Sequence, residues 1–169
     1  SVYDLASLTK ILATLPLVMQ QVEDGIIDFD TKLGEMMPVF KGTNKENIRL
    51  QDMLMHYARL KAWIPFYVPT IDAVTKRPST LYYHESADER FNTQVAEKMF
   101  IRKDMQDTIV DIIAKSDLNR RKEYKYSDLP FYILKYYLEG YYKTNLNSLT
   151  QDRFYRSLGA NYTGYLPLT

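Results

Sequence analysis

The 169-residue chain contains no cysteine. Neither a disulfide scaffold nor a thiolate metal site is therefore available to it. It has little net charge, since 22 Lys and Arg against 21 Asp and Glu leave +1. A broad electrostatic attraction to nucleic acid or to an anionic membrane needs a one-sided surplus of cations, so neither partner is expected. No apolar run reaches the length of a membrane span. The opening residues, SVYDLAS, read as the middle of a chain and not as a signal peptide. Histidine is scarce. His56 and His84 stand 28 positions apart and suggest neither a metal pair nor a general base, so no metal or organic cofactor is expected.

Other totals are ordinary for a globular chain, with 46% hydrophobic and 25% charged residues. Tyrosine is the exception. Fifteen tyrosines against seven phenylalanines favour half-exposed surfaces and pocket walls, because the ring buries while the hydroxyl stays wet. The Trp63/Phe66/Tyr67 and Tyr82/Tyr83 clusters fit either a cleft wall or a core. The Met36-Met37 and Met53/Met55 pairs fit core filling.

Helical spacing of Leu8, Ile11, Leu12, Leu15, Val18, Met19 and Val22 predicts a helix over 6–24, apolar on most of its circumference and therefore central and buried. Asp4 is its expected N-cap and Gly25 its stop, and Pro16 should loosen or kink it. A short helix before Pro38 and helices over 48–60, 105–116, 127–142 (capped by Ser127, with Pro130 in its first turn) and 148–159 (capped by Ser148) follow. Residues 61–90 read as a long ordered loop, and 91–104 as the place for one short strand. The basic run NRRKEYK, 119–125, reads as a solvated loop. The fold class expected is mostly α.

Two short stretches carry chemistry. In YDLASLTK, Ser7 and Lys10 are three apart, which places them on one helix face. A serine hydroxyl needs a base before it is nucleophilic, and a lysine with a lowered pKa can serve. The apolar context of Lys10 suits a partly buried ammonium, and a helix N-terminus offers N–H groups to an oxyanion. The same spacing also fits a polar first turn with an exposed lysine. In YKYSDLPFYIL, Tyr126 precedes Ser127 and Asp128 at a helix start. Taken alone, that stretch reads as a cap with a packed tyrosine.

In this order the two stretches resemble the penicillin-recognising serine hydrolases, in the branch of class C β-lactamases, D-alanyl-D-alanine carboxypeptidases and esterases. YDLASLTK is similar to the nucleophile motif. IRLQDMLMHYARL is similar to the segment usually reading I-T-[IV]-R-x-L-L-x-H-T-S-G-L. YKYSDLPFYIL is similar to the Y-x-[ND] motif, and FYRSLGANYTGYLPL to the stretch that follows it. HYARLKAWIPFY further resembles a subgroup in which this domain follows a family 3 glycoside hydrolase domain in one chain.

The resemblance implies a serine hydrolase forming an acyl-enzyme on Ser7. Lys10 and Tyr126 would carry its protons, and Asp128, Trp63 and Tyr67 would stand at the substrate. The substrate expected is a peptide, amide or ester of cell-wall type, and the location the bacterial periplasm, envelope or exterior. Two departures stand out. Tyr57-Ala58-Arg59 replaces Thr-Ser-Gly, and Asp128 replaces the Asn of class C β-lactamases, an anion less suited to a lactam side-chain amide. The family's Lys/His-x-Gly strand motif and its opening strands are not found. Residues 1–169 are therefore expected to form a single partial domain, the helical part of an α+β fold with the sheet largely missing. Such a piece should be inactive alone and prone to self-association through exposed apolar faces. The alternative is a non-catalytic helical binding module attached to the glycoside hydrolase.

Overall fold

The computed structural model describes residues 3–165; the last residues of the FYRSLGANYTGYLPL stretch lie outside them. Two compact units are present: the chain up to Trp63 together with Ile113–Gly164, and a second built on Ile64–Ile112.

The first unit is helical. A 3₁₀ turn, Ala6–Leu8, leads into a π-helical stretch, Lys10–Thr14, and then into α1, Leu15–Glu23. Pro16 explains the widening. It has no N–H to give the Leu12 carbonyl one α-turn back, and its ring crowds that turn. The Leu12 carbonyl instead accepts a hydrogen bond from the Tyr155 hydroxyl at 2.9 Å. The helix stops at Gly25, whose φ of +68° suits glycine. Asp4 acts one step earlier than a regular cap, its carboxylate accepting from the Ala6 N–H at 2.8 Å.

This helix is not buried all round, as its composition suggests. Ala13, Thr14, Leu17, Val18 and Gln21 face inward, while Leu8, Ile11, Leu12 and Met19 are exposed. A buried stripe and an exposed apolar stripe share one rod.

α2, Leu33–Met36, and α3, Leu50–Leu54, follow, linked by an antiparallel bridge between Lys32 and Arg49. α3 is far shorter than the expected helix over 48–60, because His56 and Arg59 both take left-handed backbone at φ +61°. Met37 and Met53 are core residues as expected; Met55 is exposed. α4, Met105–Lys115, ends in this unit. α5, Leu129–Tyr142, buries Leu129, Ile133, Leu134 and Leu138 completely, each worth about 1.5–3 kcal/mol of transfer free energy. α6, Leu146–Thr150, is capped by Asn145 and not by Ser148: the Asn145 side chain accepts from the Ser148 N–H at 2.8 Å. α6 runs into a π turn, Gln151–Tyr155, which carries the Tyr155 hydroxyl to Leu12.

The second unit adds strand to the expected mostly-α piece, so the described residues form an α+β arrangement of six α-helices and one three-stranded sheet. Residues 61–90 are not purely loop, since they hold a 3₁₀ turn, Val68–Thr70, and β1, Tyr83–His84. The single strand expected over 91–104 is a hairpin of β2, Phe91–Ala96, and β3, Met99–Arg102. The antiparallel sheet has the order β1-β3-β2, with Tyr83 opposite Ile101 and Gln94 opposite Phe100.

One buried cation ties the first unit together. Lys45 is fully buried, and its ammonium donates to Asn44 Oδ1 at 2.7 Å, to the Ala114 carbonyl at 3.3 Å and to the Ser116 carbonyl. The carbonyls at the end of α4 thus receive a positive donor where the helix dipole is negative. Lys45→Met keeps most of the stem but strips those carbonyls of a donor. It should cost about 2 kcal/mol in urea unfolding, and an unchanged midpoint would contradict this role.

Candidate functional site

The site joins two segments distant in sequence. Ser7 sits in the 3₁₀ turn directly after Ala6, which has a left-handed φ of +42°. A non-glycine residue in that region is strained, and it stands one step before the candidate nucleophile. Lys10 opens the π stretch and reaches back, its ammonium donating to Ser7 Oγ at 3.0 Å. The other segment supplies Asp128, whose carboxylate lies 2.6 Å from Lys10 Nζ. It also supplies Tyr126 and Phe131, whose ring centres lie 5.0 and 5.8 Å from that ammonium.

These contacts set the charges. Burial works to lower the Lys10 pKa, but hydrogen bonds to Asp128 and Tyr126 and the charges of both outweigh it, and the net shift is upward. Lys10 is thus a standing ammonium, not the lysine of lowered pKa that its apolar context suggests. Tyr126 moves the other way. Hydrogen bonds from Lys10 and then from Ser7 hold its phenol below the ordinary value of 10.0, with the Lys10 charge adding to them. A hydroxyl, an acidified phenol and an ammonium are therefore in mutual contact.

The Tyr126 loop does not hold this position unaided. Residues 56–62 act as its mould. The Lys125 N–H donates to the His56 carbonyl at 3.0 Å, and the Ser127 N–H to His56 Nδ1 at 3.2 Å. The Ser127 hydroxyl donates to the Lys61 carbonyl at 2.6 Å, and the Asp128 N–H to the Ala62 carbonyl at 2.9 Å. Ser127 Oγ also accepts from the Leu129 N–H at 3.2 Å, but the N-cap position of α5 is Asp128 and not the expected Ser127, which stands one residue earlier. His56 further packs its ring 4.6 Å from Tyr126 and 5.9 Å from Phe131.

The left-handed φ of Arg59 falls where the family pattern has glycine. The turn keeps its shape because Arg59 and Asn119 bind each other. The Asn119 N–H donates to the Arg59 carbonyl, and Arg59 Nε to the Asn119 carbonyl, both at 2.7 Å.

Ser7, Lys10, Tyr126 and Asp128 are thus brought together. Trp63 directly follows the Ala62 carbonyl that anchors Asp128 and is 57% exposed, so it is no core residue. Tyr67 belongs to the second unit, where it is 59% exposed and its carbonyl accepts from the Thr70 N–H and hydroxyl. His84, in the same unit, stacks on Phe91 at 3.7 Å and meets Asp88 at 3.2 Å. His56 is the residue that sequence reasoning undervalued. Its place in a segment of family-like pattern signalled a structural role, while its grip on Ser127 depends on a left-handed turn that no spacing rule reveals.

The Beta-lactamase family model matches residues 1–168. A Salmonella gallinarum protein named "Putative D-alanyl-D-alanine carboxypeptidase" is 27% identical over 99% of this chain and 35% of its own length. A Salmonella paratyphi B protein of the same name aligns equally. The chain thus spans about a third of the length of the curated relatives it matches. Among solved structures, the class C beta lactamase of Rhodobacter sphaeroides has a TM-score of 0.56 at 16% identity, covering 90% of this chain and 34% of that one. FmtA of Staphylococcus aureus has a TM-score of 0.57 at 17% identity, covering 89% and 34%. At such identities these structures show a shared fold.

His56 links the site to pH. Burial first, then the Lys10 charge, lowers its pKa below the ordinary 6.5 against a weaker pull from Asp128. The unfolded chain then binds protons that the folded chain refuses. Stability should be full above about pH 6.5 and fall as pH drops through the lowered folded value. His56→Asn keeps a side-chain acceptor without a titrating ring, so it should flatten that acid limb. His56→Leu loses the acceptor at every pH and should cost about 1–2 kcal/mol in urea unfolding. An identical acid limb in wild type and His56→Asn would contradict the assignment.

Proposed function

Because the chain belongs to the Beta-lactamase family, we propose that its parent protein is a serine hydrolase working through an acyl-enzyme on Ser7. The observation that carries this reading is the contact of the Ser7 hydroxyl and the Tyr126 phenol with one Lys10 ammonium.

On this reading Lys10 remains an ammonium throughout and stabilises a Tyr126 phenolate. The phenolate takes the Ser7 proton as Oγ attacks a substrate carbonyl carbon. The Ser7 N–H helps hold the oxyanion of the tetrahedral adduct. Tyr126 then returns its proton to the leaving nitrogen or oxygen, the carbon–heteroatom bond breaks, and an ester of Ser7 remains. Water repeats the cycle: Tyr126 takes its proton, the new adduct collapses, and the proton goes back to Ser7 Oγ as the acid departs.

The substrate class proposed is a peptide, amide or ester of cell-wall type, with the protein in the bacterial envelope or exterior. The names of the Salmonella relatives support this class. Asp128 supports amides and esters over lactams, since its carboxylate is engaged with Lys10 and offers no amide to a lactam side chain. Trp63 and Tyr67, both exposed, are proposed to meet the substrate. A family 3 glycoside hydrolase domain in the same parent chain is part of the proposal, supported by the HYARLKAWIPFY stretch.

The test is intact mass of the full-length protein after a fluorophosphonate probe. One adduct is expected, absent in Ser7→Ala. Tyr126→Phe should slow labelling by about 10²–10⁴-fold, the usual range for losing a general base. No adduct on the folded wild type would remove the hydrolase reading and leave a binding module.

A further inference from the structure

The segment that delivers Tyr126 is basic, and it is not loose. Between α4 and α5, residues 119–125 carry Arg120, Arg121, Lys122 and Lys125 against a single carboxylate, Glu123. Asn119 anchors the start. Besides its reciprocal bonds with Arg59, its Nδ2 donates to the Leu60 carbonyl at 2.8 Å. In the middle, Lys122 pairs with the nearly buried Asp52 at 2.9 Å. At the end, the Lys125 N–H is held by the His56 carbonyl at 3.0 Å. A loop pinned at three points keeps its shape without a ligand, which removes most of the ordering cost of binding one.

That pinned arch borders an open hollow of about 310 Å³, lined by Asn119, Arg120, Arg121, Glu123 and Lys125. Lys122 is already paired with Asp52, which also meets Arg49. Among the described residues no carboxylate pairs with Arg120, Arg121 or Lys125. Three cationic residues against one carboxylate, Glu123, around one concavity suit an anion with two or three oxygens, a carboxylate or a phosphate. A merely solvated basic loop needs neither the hollow nor the pins. Lys125 is also bonded directly to Tyr126, so the lining of the hollow ends one residue before the proton carrier.

We propose that the Asn119–Lys125 arch is an anion-anchoring subsite that holds a substrate carboxylate set apart from the scissile carbonyl. This rests on the acyl-transfer reading of Ser7. It adds a selectivity that the catalytic groups do not provide: acyl donors with a remote anionic end are favoured over neutral ones of the same length.

The test uses the full-length protein and two p-nitrophenyl esters of equal acyl length, one ending in a carboxylate and one in its methyl amide. The carboxylate ester should be preferred about tenfold in kcat/KM, mostly through KM. The preference should collapse toward unity in Arg120→Ala/Arg121→Ala and in about 0.5 M salt. Fluorophosphonate labelling of Ser7 should be unchanged in the double variant. A preference that survives the double substitution would overturn the proposal. Inorganic phosphate separates the two sources of such an anion. Phosphate that shifts the backbone amides of 119–125 and competes with the carboxylate ester alone supports the subsite. Phosphate binding without any discrimination between the esters would assign the hollow to free oxyanions and overturn the substrate role. If Ser7 takes no label and neither ester turns over, it is the acyl-transfer reading that has failed, and the anchoring role falls with it.

Discussion

Asp128 holds the Lys10 ammonium at 2.6 Å, and the other features of the site follow from keeping that charge in place. An ammonium drawn partly out of water is costly unless acceptors surround it. Here one carboxylate, one hydroxyl and the faces of two aromatic rings do so. The fixed cation then makes a nearby phenol easier to ionise and orients the serine oxygen. Since Lys10 and Asp128 come from distant parts of the chain, the ion pair is also a tertiary clasp. It joins the N-terminal turn to the start of α5 at the spot where chemistry is placed.

The clasp depends on a backbone mould. Residues 56–62 give the Tyr126 loop three carbonyls, one imidazole nitrogen, and a turn whose left-handed residues are His56 and Arg59. Glycine would adopt the Arg59 conformation without strain. The arginine accepts that strain and in return fixes Asn119, and through it the start of the basic arch. One departure from the family pattern therefore has a visible counterpart elsewhere in the fold. The Asp128 departure also has one, because a carboxylate at that position meets the lysine ammonium directly.

Much of this was legible in the residues. Spacing three apart puts Ser7 and Lys10 in contact, and Pro16 announced a disturbed helix, which the structure resolves as a π stretch with the Leu12 carbonyl handed to Tyr155. Helices α4 and α5 carry a strong enough 3.6-residue pattern to be placed within about two residues. What escaped was set by long-range pairing. FNTQVA and MFIR are short and do not alternate cleanly, so their hairpin is specified by cross-strand bonds more than by pattern. The exposed stripe of Leu8, Ile11, Leu12 and Met19 looks like core in a list of residues; only the packing shows which side is covered. Asn145 outcompeted Ser148 as a cap because α6 begins earlier than its apolar run suggests. His56 was legible as structural, but its link to Ser127 was not.

The chemistry of the site rests on the Lys10 ammonium acidifying Tyr126. The direct measurement is an NMR titration of the hydroxyl-bearing ring carbon of Tyr126, in wild type and in Lys10→Ala. The midpoint should lie below the ordinary 10.0 in the wild type and rise clearly in the variant. The same midpoint in both proteins would contradict that acidification.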